Sequence, residues 1–215
     1  SDLAQAVGLD VGCATGGITA LVAPSLRAMV AVEYDADHLT HVPARDSRHL
    51  VFVRGDAQRL PIADSSVDVV ICAQVYEHVA DARLLVSEIG RVLAPGGVCF
   101  FSGPNRWDPI ERHYGLPFLS WLPRSLADRY VRATGRGEQY TEQPLSYREL
   151  KRLLRGFIIT DYTVAMLRDP ARFCCEEEMR GALWVRRLPR SLLTFLLPLI
   201  PNYDWILRKR GENLP

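Results

Sequence analysis

The sequence predicts a doubly wound α/β domain, a mainly parallel sheet covered by helices. Three observations carry this. The apolar run Val7-Gly8-Leu9-Asp10-Val11 opens onto the glycine-rich turn Gly12-Cys13-Ala14-Thr15-Gly16-Gly17 and the helix-compatible Ile18-Thr19-Ala20-Leu21-Val22, which reads as a strand, a tight loop and a helix start. Further short apolar runs follow, and two of them lead into acids, Glu33 and Asp56. Residues 82–93 place Leu85, Ile89, Val92 and Leu93 at helical spacing and end in the breaker Ala94-Pro95-Gly96-Gly97.

Each element has a physical reason. Glycine in the first turn permits positive φ and lets the backbone approach a ligand with no Cβ in the way. Ala14 stands at the middle glycine of the dinucleotide fingerprint G-x-G-x-x-G, and alanine fits there if its φ is negative. Asp10 would sit poorly beside a pyrophosphate held at a helix N-terminus and suits a cationic ligand. The second strand, Met29–Val32, ends at Glu33, 17 residues beyond Gly16. An acid at that tip accepts hydrogen bonds from ribose hydroxyls, which implies a free diol and not a 2′-phosphate. The third strand, Leu50–Val53, leads to Gly55-Asp56-Ala57, where Asp56 is placed to accept from an exocyclic adenine amine. Ser65–Cys72 and Val98–Phe101 read as the fourth and fifth buried strands. The plainer alternatives are a ligand-free glycine turn and solvated strand-end acids.

Composition sets bounds. The 215 residues suffice for one domain with a full core, and 48% hydrophobic with 24% charged residues is ordinary for a globular protein. A net charge of +1 gives no field directed at nucleic acid, so none is expected as a partner. Cys13, Cys72, Cys99, Cys174 and Cys175 form no disulfide framework and point to a reducing compartment. No zinc signature is visible, Cys174-Cys175 lacks ligand spacing, and no metal is expected. Without a signal peptide or an apolar run near the ~20 residues of a membrane span, the expected location is cytoplasmic.

Taken together, Asp10 to Gly16, Glu33, Gly55-Asp56-Ala57, Leu60-Pro61, Val67-Asp68-Val69-Val70, Glu77-His78-Val79 and Arg91 to Gly97 resemble the motifs of class I S-adenosylmethionine-dependent methyltransferases, in particular the type 11-like group. The resemblance is close over about residues 7–105. It implies a Rossmann-like, doubly wound seven-stranded sheet in the order 3-2-1-4-5-7-6 with strand 7 antiparallel. Strand 6 is expected at 157–164 and strand 7 at 203–208, with a capping box at Ser146 opening the helix before strand 6. It also implies S-adenosyl-L-methionine as cofactor and a single methyltransferase domain over 1–215. Gly12, Cys13, Ala14 and Gly16 would contact the methionine and ribose region, with Asp10 near the methionyl amine. Glu33 would hold the ribose hydroxyls, Tyr34 flank the adenine, and Asp56 with Ala57 read its edge. Gln74 and Val75 would close the pocket, and Asp68 would be structural. Members of this family usually carry one or two helices ahead of strand 1; here strand 1 starts at residue 7, so either a preceding segment is missing or the site has another lid.

Two stretches, 105–145 and 169–202, are left over as helical inserts on the cofactor face, where they are expected to build the acceptor pocket. Residues 116–123 and 192–200 are apolar, and Arg186, Arg187 and Arg190 precede the second run. That pattern fits a helical cap, or a peripheral membrane contact through 186–200; Pro189, Pro198 and Pro201 argue against one long helix. The expected acceptor is small or lipid-like and is methylated at oxygen. His78 is the candidate base, since imidazole titrates near neutrality, although it could instead hold its loop. His113 is a second base or an acceptor ligand. A nicotinamide-dependent dehydrogenase and a non-catalytic cofactor-binding module remain the alternatives.

Overall fold

The computed structural model describes residues 2–42, 49–177 and 180–210, with backbone alone over 180–183. Residues 1, 43–48, 178–179 and 211–215 lie outside the described residues, so the second insert is seen in two stretches.

Seven strands form one sheet: β1 (Val7–Val11), β2 (Ala28–Glu33), β3 (Leu50–Arg54), β4 (Val67–Ala73), β5 (Leu93–Pro104), β8 (Phe157–Asp161) and β9 (Asn202–Lys209). The order is β3-β2-β1-β4-β5-β9-β8, and a separate short hairpin joins β6 (Ile110–Glu111) to β7 (Leu116–Pro117). With that hairpin set aside, β8 and β9 are the sixth and seventh sheet strands, so the order is the expected 3-2-1-4-5-7-6. β9 runs antiparallel to both β5 and β8.

The central strands are apolar because both faces are covered. Leu9 pairs with Val30 on one side and Val70 on the other, and Leu9, Val11 and Val70 are wholly buried. One face packs on α3 (Ala82–Val92) and α5 (Tyr147–Leu153) through Leu85, Ile89, Leu150 and the adjoining Leu154. The other is closed by Ala6, Leu26, Met29 and Ile71. The expected capping box is present: Glu149 accepts from the Ser146 backbone N–H at 2.9 Å. Asp68 is structural as expected, its carboxylate accepting the Val7 N–H at 2.8 Å where the sheet begins.

Two strands depart from the sequence reading by three residues or more. The sixth sheet strand stops at Asp161, short of residue 164, because the Asp161 carboxylate accepts the Thr163 N–H at 2.9 Å and turns the chain into α6 (Thr163–Arg168). The fifth strand runs from Leu93 through the Pro-Gly-Gly breaker, where Gly96 at φ 80° absorbs the irregularity.

The first insert contains the β6–β7 hairpin and α4 (Arg124–Ala133), with its own small core of Leu116, Leu119, Ala127, Val131 and Tyr140. In the second, α7 (Arg190–Leu196) ends in a 3₁₀ turn containing Pro198, so the prolines do break the helix. Leu193 and Leu197 are buried, whereas Phe195 is 79% and Leu199 60% exposed. Among the described residues no helix is long and apolar enough to cross a membrane.

Candidate active site

The carboxyl ends of β1, β2 and β4 and the turn after β3 converge on a cavity of about 550 Å³. That size falls within the roughly 300–1,000 Å³ of small-molecule sites. Gly12 and Ala14 form one wall and Glu33 with Tyr34 the next. Asp56 and Ala57 follow, then Gln74 and Val75, and His78 stands at the end of the series.

The glycine turn is held open by specific contacts. Gly12 has φ 69°, and a Cβ there would lie 2.7 Å from Val75 Cγ2, so only glycine lets Val75 pack over the turn. Ala14 departs from expectation: its φ is +47°. A side chain in the left-handed region costs roughly 1–2 kcal/mol. The compensation is visible, because the Ala14 N–H donates to Glu33 Oε2 at 2.8 Å. Glu33 Oε1 accepts the Asp35 N–H at 2.9 Å, so one carboxylate pins the loop after β1 to the end of β2.

Three of the expected cofactor residues do not line the cavity. Asp10 is buried behind the turn, where its carboxylate accepts the Thr19 hydroxyl at 2.5 Å. Burial pushes its pKa up to about 6 and the charge of Glu33 adds to that, against the pull of the Thr19 hydrogen bond. Cys13 is buried, its N–H donating to the Val32 carbonyl at 3.1 Å, and burial pushes its thiol up to about 12, so it acts as packing. Gly16, at φ 78°, heads α1 (Gly17–Val22) and packs on the Phe52 ring. Asp56 does face the cavity and accepts the Gln58 N–H at 2.8 Å, while Tyr34 stands 70% exposed at the rim.

The turn after β4 builds the far end. Gln74 takes φ 57°, its N–H bound to the Ser102 carbonyl at 2.9 Å and its side chain meeting the Asn202 amide at 2.9 Å. Tyr76 is buried, its hydroxyl donating to the Pro104 carbonyl and accepting the Leu145 N–H at 3.1 Å. Glu77 is fully enclosed and its carboxylate accepts no hydrogen bond from another residue; burial pushes its pKa up to about 7. His78 is half-exposed. Its ring meets His113 edge to face, centroids 4.7 Å apart. His113 Nδ1 lies 2.9 Å from Glu111 Oε1. Burial, then His113, lower the pKa of His78, while Glu111 raises that of His113. The two candidate histidines, 35 positions apart in sequence, are therefore neighbours. Sequence reasoning missed Glu111 and Glu142 here and Gln58 in the cavity wall. The clue available for the first two was the gathering of Glu111, His113 and Glu142 within one insert.

The residues present fit an adenosyl sulfonium: an acid at the β2 tip, an acid in the turn after β3, a turn cleared by Gly12, and the negative Asp10 behind it. Fold and cavity thus define an α/β protein that holds a nucleoside-type cofactor across its strand tips. The comparisons agree. Residues 9–101 match the family model described as a methyltransferase domain. A Mycolicibacterium smegmatis protein named as a probable S-adenosylmethionine-dependent methyltransferase is 43% identical over 102 residues, covering 46% of this chain and 38% of the relative. The chain thus spans well under half of that relative's length. A Rickettsia prowazekii ubiquinone biosynthesis O-methyltransferase is 25% identical over 194 residues, 85% of this chain and 75% of the relative. The structure of an S-adenosylmethionine dependent methyltransferase from Mesorhizobium loti superposes with a TM-score of 0.62 at 17% identity, covering 97% of this chain and 93% of that one. Over residues 9–101 the chain thus matches a methyltransferase domain of the class I S-adenosylmethionine-dependent kind, and S-adenosylmethionine is the cofactor of that class. The antiparallel β9 between β5 and β8 also departs from the order 3-2-1-4-5-6 of dinucleotide-binding dehydrogenases.

Proposed function

We propose that this protein transfers a methyl group from S-adenosylmethionine to an oxygen of a small or lipid-like acceptor. The observation that carries the reading is the continuous cavity running from Glu33 and Asp56 to His78. When bound, the cofactor supplies an already activated methyl group, so the protein's task is orientation. Glu33 binds the ribose diol while its other contacts keep the Gly12–Ala14 turn in place. Asp56 accepts from the adenine amine, with Tyr34 against the ring and Ala57, Gln74 and Val75 closing the walls. Asp10, buried behind the turn, supplies negative charge toward a cationic ligand without touching it. His78 and His113 form the polar wall at the acceptor end, and a ring nitrogen of His78 receives the acceptor's hydroxyl proton.

The acceptor is lipid-like on two supports. One relative is named for ubiquinone biosynthesis. The segment 186–200 presents exposed Phe195 and Leu199, and Arg168, Arg172, Arg186 and Arg190 line an open cavity of about 460 Å³. A short apolar helix with a basic flank suits peripheral contact with a membrane surface from the cytoplasmic side. The single domain over 1–215, with the 105–145 and 169–202 inserts shaping the acceptor pocket, belongs to the same proposal.

The test is transfer of labelled methyl to a panel of hydroxylated acceptors, some with isoprenoid tails, alongside calorimetry with S-adenosylhomocysteine and NAD. We expect S-adenosylhomocysteine binding, turnover on a tailed hydroxyl acceptor, and a His78→Ala variant that loses kcat but keeps cofactor affinity. Binding of NAD alone would overturn the reading, and cofactor binding with silence across the panel would leave a non-catalytic module.

A further inference from the structure

We propose that Glu77, His78 and His113 bind one divalent first-row transition-metal ion at the acceptor end of the cofactor cavity. These three side chains each offer a ligand atom, and the three atoms lie within 4.8 Å of one another. The cluster deepens the methyl-transfer reading by assigning a cation to the wall that meets the acceptor, but it stands on its own geometry.

The decisive group is Glu77. Its side chain is fully enclosed, and neither carboxylate oxygen receives a hydrogen bond from another residue. An isolated buried carboxylate costs several kcal/mol unless a cation or a proton meets it. His78 Nε2 lies 3.8 Å from Glu77 Oε1. On the other side, His78 Nδ1 is 3.9 Å from Oε1 of Glu142, a second buried acid whose Oε2 also lacks a hydrogen bond.

His113 is arranged as metal-binding imidazoles commonly are. Its Nδ1 is held by the buried Glu111 carboxylate at 2.9 Å, which fixes the ring and leaves Nε2 free as the ligand atom. Beside these groups is an enclosed space of about 20 Å³, lined by Glu77, Glu111, His113 and Glu142 among others, the size for a single water or ion. Three carboxylates surround two imidazoles, and the guanidinium that also lines the space, Arg112, is paired with Asp108 at 3.2 Å. Mixed imidazole and carboxylate donors suit Zn²⁺, Mn²⁺ or Fe²⁺ better than Mg²⁺ or Ca²⁺. Because His78 also lines the cofactor cavity, a cation held here would face the acceptor. It would polarise a hydroxyl or a pair of adjacent oxygens there, and in the metal-loaded protein this polarisation would replace the proton transfer to His78, the hydroxyl losing its proton to solvent.

Metal binding is read without cofactor or acceptor, so its failure is distinct from failure of the methyl-transfer reading. Metal-stripped protein is titrated with Zn²⁺ or Co²⁺ alone, by calorimetry, elemental analysis after dialysis, and the visible absorption of bound Co²⁺. We expect one equivalent, and a roughly 100-fold loss of affinity in both Glu77→Gln and His113→Ala, with His41→Ala, outside the cluster, unchanged. Far-UV circular dichroism and S-adenosylhomocysteine binding verify the fold. Should His113→Ala not fold, Glu77→Gln, which keeps the side chain's shape, decides alone. Absence of stoichiometric binding to the wild type, or wild-type affinity in Glu77→Gln, would overturn the proposal and leave Glu77 as a carboxyl buried with its proton.

Discussion

Glu33→Gln tests the cofactor end of the site, because the substitution keeps shape and removes charge. The carboxylate spends one oxygen on the Ala14 N–H at 2.8 Å and the other on the Asp35 N–H at 2.9 Å. A glutamine has one acceptor oxygen, so its NH₂ must face one of those two donors. Losing one charge-assisted hydrogen bond costs about 1.5–3 kcal/mol. At about 2 kcal/mol the melting temperature of a domain this size falls by roughly 4–8 °C. The ribose diol would then meet a neutral amide, which weakens cofactor binding by a further 1–2 kcal/mol or so, roughly 5- to 30-fold. Differential scanning calorimetry reads the first effect, and titration with S-adenosylhomocysteine well below the melting temperature reads the second. A lowered melting temperature with unchanged affinity would refute the ribose assignment and leave Glu33 as a clamp on the loop.

Ala14→Gly should stabilise the protein by about 1 kcal/mol, since φ +47° is strained for alanine and free for glycine; urea unfolding measures it, and a loss of stability would mean the turn is unstrained. Asp10 gives a pH dependence of definite sign. Its pKa rises from 3.8 to about 6 on folding, so the folded state holds the proton more tightly. Its contribution is therefore most favourable below about pH 4 and worsens as pH climbs through 6, by about 3 kcal/mol in total. Asp10→Asn should flatten that part of the stability profile, and a slope identical to wild type between pH 4 and 7 would show that Asp10 keeps an ordinary pKa. Replacing Arg186, Arg187 and Arg190 should reduce co-sedimentation with anionic vesicles; equal sedimentation of variant and wild type would remove the membrane contact.

The central sheet was readable because its strands are buried on both faces and spell continuous apolar runs, while the acids that matter sit where those runs end. Glu33 and Asp56 could be placed that way, and the helical spacing of Leu85, Ile89 and Val92 placed α3, although it ends at Val92 and the Pro-Gly-Gly stretch belongs to β5. The reading went astray where side chains override local pattern. At Asp161 a carboxylate that caps the next helix cut short an apolar run through Val164. At Ala14 a tertiary hydrogen bond holds a conformation that alanine's own preferences disfavour. The Glu77, His78, His113 and Glu142 cluster has no spacing signature, because the β4 turn and the first insert each supply part of it.

Tyr76 has a wider consequence. Its ring is packed so tightly on Gly103 that any Cβ at that position would collide with it, and its hydroxyl ties Pro104 to Leu145. The first insert, by contrast, keeps its own hydrophobic nucleus. This cap is thus a module fastened at a few points to an unyielding frame. On the methyl-transfer reading proposed above, grafting a different cap between Pro104 and Leu145 would exchange the acceptor while sparing the residues that face the donor, so long as tyrosine and glycine keep their partnership.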